Sequence, residues 1–167
     1  MVNLVTDVAF ERAVTITLRH EGGYNNDPRD TGGETKFGIS KRAYPTVDIK
    51  SLTEEQAKAI YKRDFWDPYL YKSIKDSNVA NKIFDLSVNV GPTWAHRITQ
   101  RALKAMGTSI VEDGHLGYET LVEINKVDPE NLLSAIKACA AGYYRKIAAT
   151  SPRKKKFLSG WLHRAHS

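Results

Sequence analysis

The sequence predicts a compact, mainly α fold with little or no β structure, a short hairpin near residues 30–40 being the exception. Three observations carry this. Apolar residues recur at helical spacing over most of the chain, residues able to cap a helix precede several of those runs, and residues 22–39 collect glycine, asparagine and aspartate instead. No internal repeat or low-complexity segment interrupts the pattern.

The first helix is expected from about Asn3 to His20, on the apolar positions Val5, Val8, Ala9, Ala13, Ile16 and Leu18, and is stopped by Gly22 and Gly23. Glu21 then falls at its C-terminal edge, where a negative charge opposes the helix dipole at a cost of ~0.3–1 kcal/mol. That cost makes a purely structural role for Glu21 the less attractive one. An ordered loop follows, with the hairpin placed around GGETKFGI. Thr53 with Gln56 forms a capping box opening a helix over roughly 54–66, with Ala57, Ile60, Tyr61 and Phe65 on one side. Asn78 is positioned to cap the next, with Val79, Ile83, Phe84 and Leu86 inward and Gly91-Pro92 at its end. A helix from about Thr93 to Met106 carries Trp94, Ile98, Ala102 and Leu103. Asp128 and Pro129 open a long one through Leu132, Leu133, Ile136, Ala140, Tyr143, Tyr144 and Ile147. The tail returns to aromatic residues at Phe157 and Trp161.

Composition narrows the function classes. At 167 residues with 41% hydrophobic and 26% charged side chains, the chain is an ordinary soluble domain, neither disordered nor membrane-spanning. Cys139 is its single cysteine, so no internal disulfide forms; in KACAAGYY it reads as an inert helical thiol. Asp7, Glu11 and Arg12 break the apolar N-terminus, so a signal peptide is not expected. The net charge of +6 arises entirely after residue 50: residues 1–50 hold seven Lys/Arg and seven Asp/Glu, residues 51–167 eighteen and twelve. Such a surface suits a polyanion: nucleic acid, anionic lipid or an envelope polymer.

Several chemistries fail on spacing. His20-Glu21 begins like the zinc-protease pattern H-E-x-x-H, but position 24 is Tyr24, and no other histidine has a cysteine pair beside it, so no metal or other cofactor is expected. The glycines fit no phosphate-binding fingerprint, and neither Ser40 nor Ser87 sits in a nucleophile elbow. No helix concentrates Arg and Lys in a nucleic-acid reading motif. What remains is Glu21 followed nine residues later by Asp30, with Asp27 and Glu34 nearby. Glycosidic cleavage needs one protonated carboxyl for the leaving oxygen and a second group to serve water or positive charge, ~5–9.5 Å away, so the loop has to fold back. Gly22-Gly23, Pro28 and Gly32-Gly33 supply the turns. Carboxylates decorating a polar loop are also common, and spacing alone leaves that plainer reading somewhat ahead.

The stretch EGGYNNDPRDTGGETKFGIS resembles the signature of the glycoside hydrolase family 108 endolysins, small bacteriophage and prophage lysozymes. The likeness continues collinearly through LTEEQAKAIYKRDFWDPY, VANKIFDLSVNVGPTWAHRITQRAL, EDGHLGYETL and FLSGWLHRA. It implies a lysozyme-like catalytic lobe over 1–92 and a helical peptidoglycan-binding-like lobe over 93–167. It also implies an N-acetylmuramidase cutting the β-1,4 bond between N-acetylmuramic acid and N-acetylglucosamine, with Glu21 of E-G-G-Y as proton donor. A more distant likeness to phage lysozymes with a glutamate, eight residues, aspartate, five residues, threonine pattern carries Asp30 over; Thr35 follows after four residues instead of five. Glu34 competes with Asp30 as the second carboxylate.

Tyr24, Glu34, Asn89 and Trp94 are the expected substrate contacts, since aromatic faces and polar side chains suit the two sides of a pyranose. Trp94 also fits a helix core, and Asn89 a helix end. Asp113-Gly114-His115-Leu116-Gly117-Tyr118-Glu119-Thr120 resembles the D-G-x-x-G-x-x-T turn of peptidoglycan-binding modules. Its glycines serve sharp turns and its Thr120 a cap. The resemblance implies a monomer acting on peptidoglycan. It waits in the host cytoplasm until a holin-like partner opens the membrane, then reaches the periplasm and cell wall. The competing readings are a lytic transglycosylase, which leaves an anhydro-muramic end, and a noncatalytic wall-binding protein.

Overall fold

The computed structural model describes residues 7–28 and 32–167, and the chain is mainly α with one short hairpin. It divides into two compact units, Met1–Tyr69 and Leu70–Ser167.

In the first unit, helix α1 spans Val8–His20. Asp7 is its N-cap: one carboxylate oxygen accepts the Phe10 N–H at 3.0 Å, the other the Trp66 indole N–H at 2.9 Å. The helix is expected from about Asn3, and positions 3–6 lie outside the described residues. The inward face also differs from the expected stripe. Phe10, Ala13, Val14 and Thr17 are buried, whereas Val8 is 58% exposed. The cause is tertiary: the Asp7–Trp66 bond and the edge-on packing of Phe10 against Trp66, 5.7 Å between rings, turn that face inward.

Strands β1 (Thr35–Lys36) and β2 (Ile39–Ser40) pair antiparallel, with Lys36 opposite Ile39. Their two-residue turn has Phe37 at φ 52° and Gly38 at φ 77°, the type I′ arrangement that matches strand twist. Helix α2 (Glu54–Tyr61) opens with the expected Thr53–Gln56 capping box. The expected helix to residue 66 continues instead as a π turn over Lys62–Trp66, closed by the Asp67 N–H on the Lys62 carbonyl at 2.8 Å.

The second unit is built on helix α3 (Ser77–Val90), buried continuously from Val79 to Ser87. Its cap is Asp76, accepting the Val79 N–H at 2.9 Å, and not the expected Asn78, which lies inside the first turn. Helix α4 (Pro92–Ala105) starts one residue before the expected Thr93, with Pro92 at its first position. Helices α5 (Tyr118–Lys126), α6 (Pro129–Ala149), α7 (Pro152–Lys155) and α8 (Leu158–His166) follow, with α6 packed on α4 and α8. Half-burial in α6 pushes the Cys139 thiol up, against nucleophilic use.

The D-G-x-x-G-x-x-T segment is held by Gln100. Its Nε2 donates to Asp113 Oδ1 at 2.8 Å, the His115 carbonyl at 3.0 Å and Thr120 Oγ1 at 3.2 Å, while its Oε1 accepts the Gly114 N–H at 2.9 Å. Thr120 is therefore a buried partner inside α5 and not its cap, a position Gly117 occupies. The loop is a structural clamp.

Beside the clamp, His96 is 2% exposed between the Tyr71 hydroxyl (2.7 Å) and the Gly114 carbonyl (3.0 Å). Burial depresses its pKa to about 4. The unfolded chain, with an ordinary histidine near 6.5, then binds more protons than the folded one between these values. Stability from this residue is complete above about pH 6.5 and is lost as pH falls towards 4, amounting to about 3 kcal/mol. Denaturant midpoints measured across that range should fall for the wild type and flatten for His96→Gln.

Candidate active site

Glu21 is the residue that ends α1. Its backbone is extended, its N–H reaches the Thr17 carbonyl at 3.2 Å, and its side chain leaves the helix at the Gly22-Gly23 break. Three backbone bonds then fold the loop back. The Phe37 N–H donates to the Gly22 carbonyl at 3.1 Å, and Asn25 and Thr35 exchange N–H to carbonyl bonds, both at 2.8 Å. The β-hairpin is thereby laid against the end of α1, with Asn25 as a one-residue third strand.

The turn of that hairpin meets the Glu21 carboxyl. A methyl group added to Gly38 would run into the Tyr61 hydroxyl and come within 2.7 Å of both Cδ and Oε2 of Glu21. Carboxyl and phenol therefore converge on one bare Cα. Tyr61, buried at the end of α2, donates to the Phe37 carbonyl at 2.6 Å and fixes the turn from below. Gly38 is required twice, by its positive φ and by the space it leaves. Gly38→Ala should cost ~1–2 kcal/mol through backbone strain and, if Glu21 is the acid that the resemblance implies, lower turnover about 100-fold by displacing it. Thermal melts and initial rates on purified sacculi check both.

Of the other expected residues, Thr35 lies in β1, its backbone joined to Asn25 and its side chain half-buried. Tyr24 and Glu34 meet directly: the phenol donates to Glu34 Oε1 at 2.7 Å, and this bond raises the Tyr24 pKa above its usual value. Tyr24 keeps 44% of its surface exposed, an aromatic face open to a ligand. Asp30 lies outside the described residues. Asn89 and Trp94 belong to the second unit. There, Asn89 near the end of α3 accepts the Tyr144 hydroxyl on its side-chain oxygen. Trp94 in the first turn of α4 is 37% exposed, packed on Tyr143 at 5.0 Å with the Arg97 guanidinium over its ring at 5.2 Å. Its expected core alternative is met only in part.

Sequence reasoning did not single out Gly38, Tyr61 or Asn25. The one local signal was the two-residue spacing in T-K-F-G-I, weakened because phenylalanine is an unusual choice for a positive-φ turn position. Among the described residues no group of three or more His, Cys, Asp or Glu could hold a metal ion, and no helix is long and apolar enough to cross a membrane.

The family model described as Glycosyl hydrolase 108 matches residues 14–91, and the one described as Predicted Peptidoglycan domain matches residues 94–166. No curated protein matches the chain. Among solved structures, SagA of Brucella abortus is similar over 95% of this chain and 96% of its own, with a TM-score of 0.69 at 21% identity, which shows a shared fold. A glycoside hydrolase region joined to a peptidoglycan domain makes the protein a peptidoglycan-hydrolysing enzyme. Residues 14–91 thus match a glycosyl hydrolase 108 region and residues 94–166 a peptidoglycan domain, the two together covering most of the chain.

Proposed function

We propose that the protein is an N-acetylmuramidase that hydrolyses the β-1,4 bond between N-acetylmuramic acid and N-acetylglucosamine. The observation that carries this is the Glu21 carboxyl, held at a helix end against the Gly38 turn beside the Tyr61 hydroxyl. An acid that must reach one glycosidic oxygen of a large polymer needs such a fixed perch.

In this reading Glu21 protonates the leaving oxygen as the bond breaks, and water adds to the anomeric carbon, so one water is consumed per bond cleaved. Asp30 accepts the proton of that water or stabilises the oxocarbenium-like charge, with the Thr35 hydroxyl orienting the water. Tyr24 offers a sugar-stacking face, and Glu34 is steadied by the Tyr24 phenol to accept from sugar hydroxyls. In the second unit, Asn89 and the exposed face of Trp94 are further proposed sugar contacts. We place the enzyme in host-cell lysis, acting as a monomer on the wall after a holin-like partner opens the membrane.

The test is digestion of purified sacculi followed by borohydride reduction of the new ends. Muramitol as the reduced sugar supports the assignment. Glucosaminitol moves the cut to the other bond of the repeat, and the absence of new reducing ends removes the hydrolase reading.

A further inference from the structure

The second unit carries a continuous row of aromatic rings across three helices. Trp94 of α4 packs on Tyr143 of α6 at 5.0 Å, and Tyr143 meets its neighbour Tyr144 at 5.8 Å. Tyr144 stacks on Trp161 of α8 at 5.6 Å and 26°, and Trp161 on Phe157 at 5.8 Å and 30°. Of these five only Tyr144 is buried. Tyr143 and Trp161 are half-buried, Trp94 is 37% exposed and Phe157 50%. A row serving the core alone would bury its ends, where apolar area in water is unfavourable at about 25 cal/mol per Å². Here the interior ring anchors the row and the ends are open.

Both ends are also cationic. The Arg97 guanidinium lies 5.2 Å over Trp94, and the Lys156 ammonium 4.9 Å over Phe157. Arg153, Lys154 and Lys155, all exposed, extend the positive end along α7. The whole unit holds fifteen Lys/Arg against eight Asp/Glu, while the first unit holds ten against eleven, so the chain's positive excess is a property of this unit. The exposed aromatic rings suit the C–H faces of pyranoses, and the flanking cations suit carboxylates hanging from them.

We infer that this row, from Trp94 through Trp161 to Phe157 with the Arg153–Lys156 run, is a glycan-binding face that takes a peptidoglycan strand. Its rings stack on the hexosamines and its cations meet the carboxylates of the stem peptides. The inference rests on peptidoglycan being the polymer, as proposed above, and lies wholly within residues 94–166, the region matched by the peptidoglycan domain. It gives that region a specific surface and a mode of contact.

The test is co-sedimentation of the full-length chain with insoluble purified sacculi, using Glu21→Gln as the background so that the polymer survives. Adding Phe157→Ala should weaken binding about 10-fold, Phe157→Leu nearly as much, and Phe157→Tyr little, because the ring face is what stacks. Adding Lys154→Gln and Lys155→Gln should weaken binding at low salt and flatten its salt dependence. Circular dichroism of each variant confirms the fold, which an exposed Phe157 is not needed to maintain. Equal binding by the Phe157→Leu and Phe157→Tyr proteins, or by the Phe157→Ala protein and its background, overturns the row while leaving peptidoglycan as the polymer. A background protein that does not sediment at all overturns the peptidoglycan reading itself, and this face with it.

Discussion

Glu21→Gln should lower the rate of sacculus digestion by at least ~10²–10⁴-fold, the usual contribution of a general acid, while leaving the fold unchanged. The substitution is isosteric, so the amide keeps the packing against Gly38 and Tyr61 and the backbone bond from residue 21 to the Thr17 carbonyl. In the role proposed for Glu21 it removes one thing, the proton that a leaving sugar oxygen must receive. The test is sharp because the carboxyl lies against a turn that is itself held by the Gly22–Phe37 backbone bond and by Tyr61. Unchanged circular dichroism and melting temperature, with turbidity loss abolished, is the expected pair of results. Digestion above about a tenth of the wild-type rate assigns the proton to another group.

Asp85→Ala should destabilise the second unit by about 3–5 kcal/mol, the usual cost of stranding a buried charge. Asp85 and Arg164 face each other in a bidentate pair: Nε to Oδ2 at 3.1 Å and Nη2 to Oδ1 at 2.9 Å, with side chains 2% and 10% exposed. Lys82 stands beside them, donating to the Arg164 carbonyl at 2.6 Å, and burial presses its pKa down to about 8 against the pull of Asp85. Removing Asp85 therefore leaves two buried cations facing one another without their shared anion. Chemical denaturation monitored by far-ultraviolet circular dichroism measures the loss. Because the penalty is charge left unpaired, adding Arg164→Met should restore much of it, whereas a loss below about 1 kcal/mol would show the pair to be solvated. The pair joins the last helix, α8, to the central α3, so Arg164 of the C-terminal motif FLSGWLHRA is explained by packing.

The long helices were legible because their cues are local. In α6 the predicted Leu132, Ile136, Ala140 and Tyr144 are all buried, and Asp128 caps the helix by accepting the Asn131 N–H at 2.8 Å. Thr53 and Gln56 form their box for the same reason. The face of α1 was not legible, since it is set by Trp66, far along the chain. Nor was α5: its cap position is Gly117, which has no side chain to announce it, and its anchor, Gln100, comes from α4. At the site, the sequence showed that an acid stands at a helix end. That Gly38 and Tyr61 meet it was hidden, because three segments separated by more than fifteen residues converge there. Trp94 shows the converse limit: it sits at helical spacing with Ile98 and Ala102, yet its side chain stays partly exposed against Tyr143 and Arg97.

The proposed hydrolysis of a muramyl bond with Glu21 as the acid is tested by mass analysis of the soluble products from purified sacculi. The expected products are disaccharide-peptides ending in a reducing N-acetylmuramic acid, each heavier by one water than the same unit within the chain. Products ending in 1,6-anhydro-muramic acid, with no water added, would contradict it and make the enzyme a lytic transglycosylase.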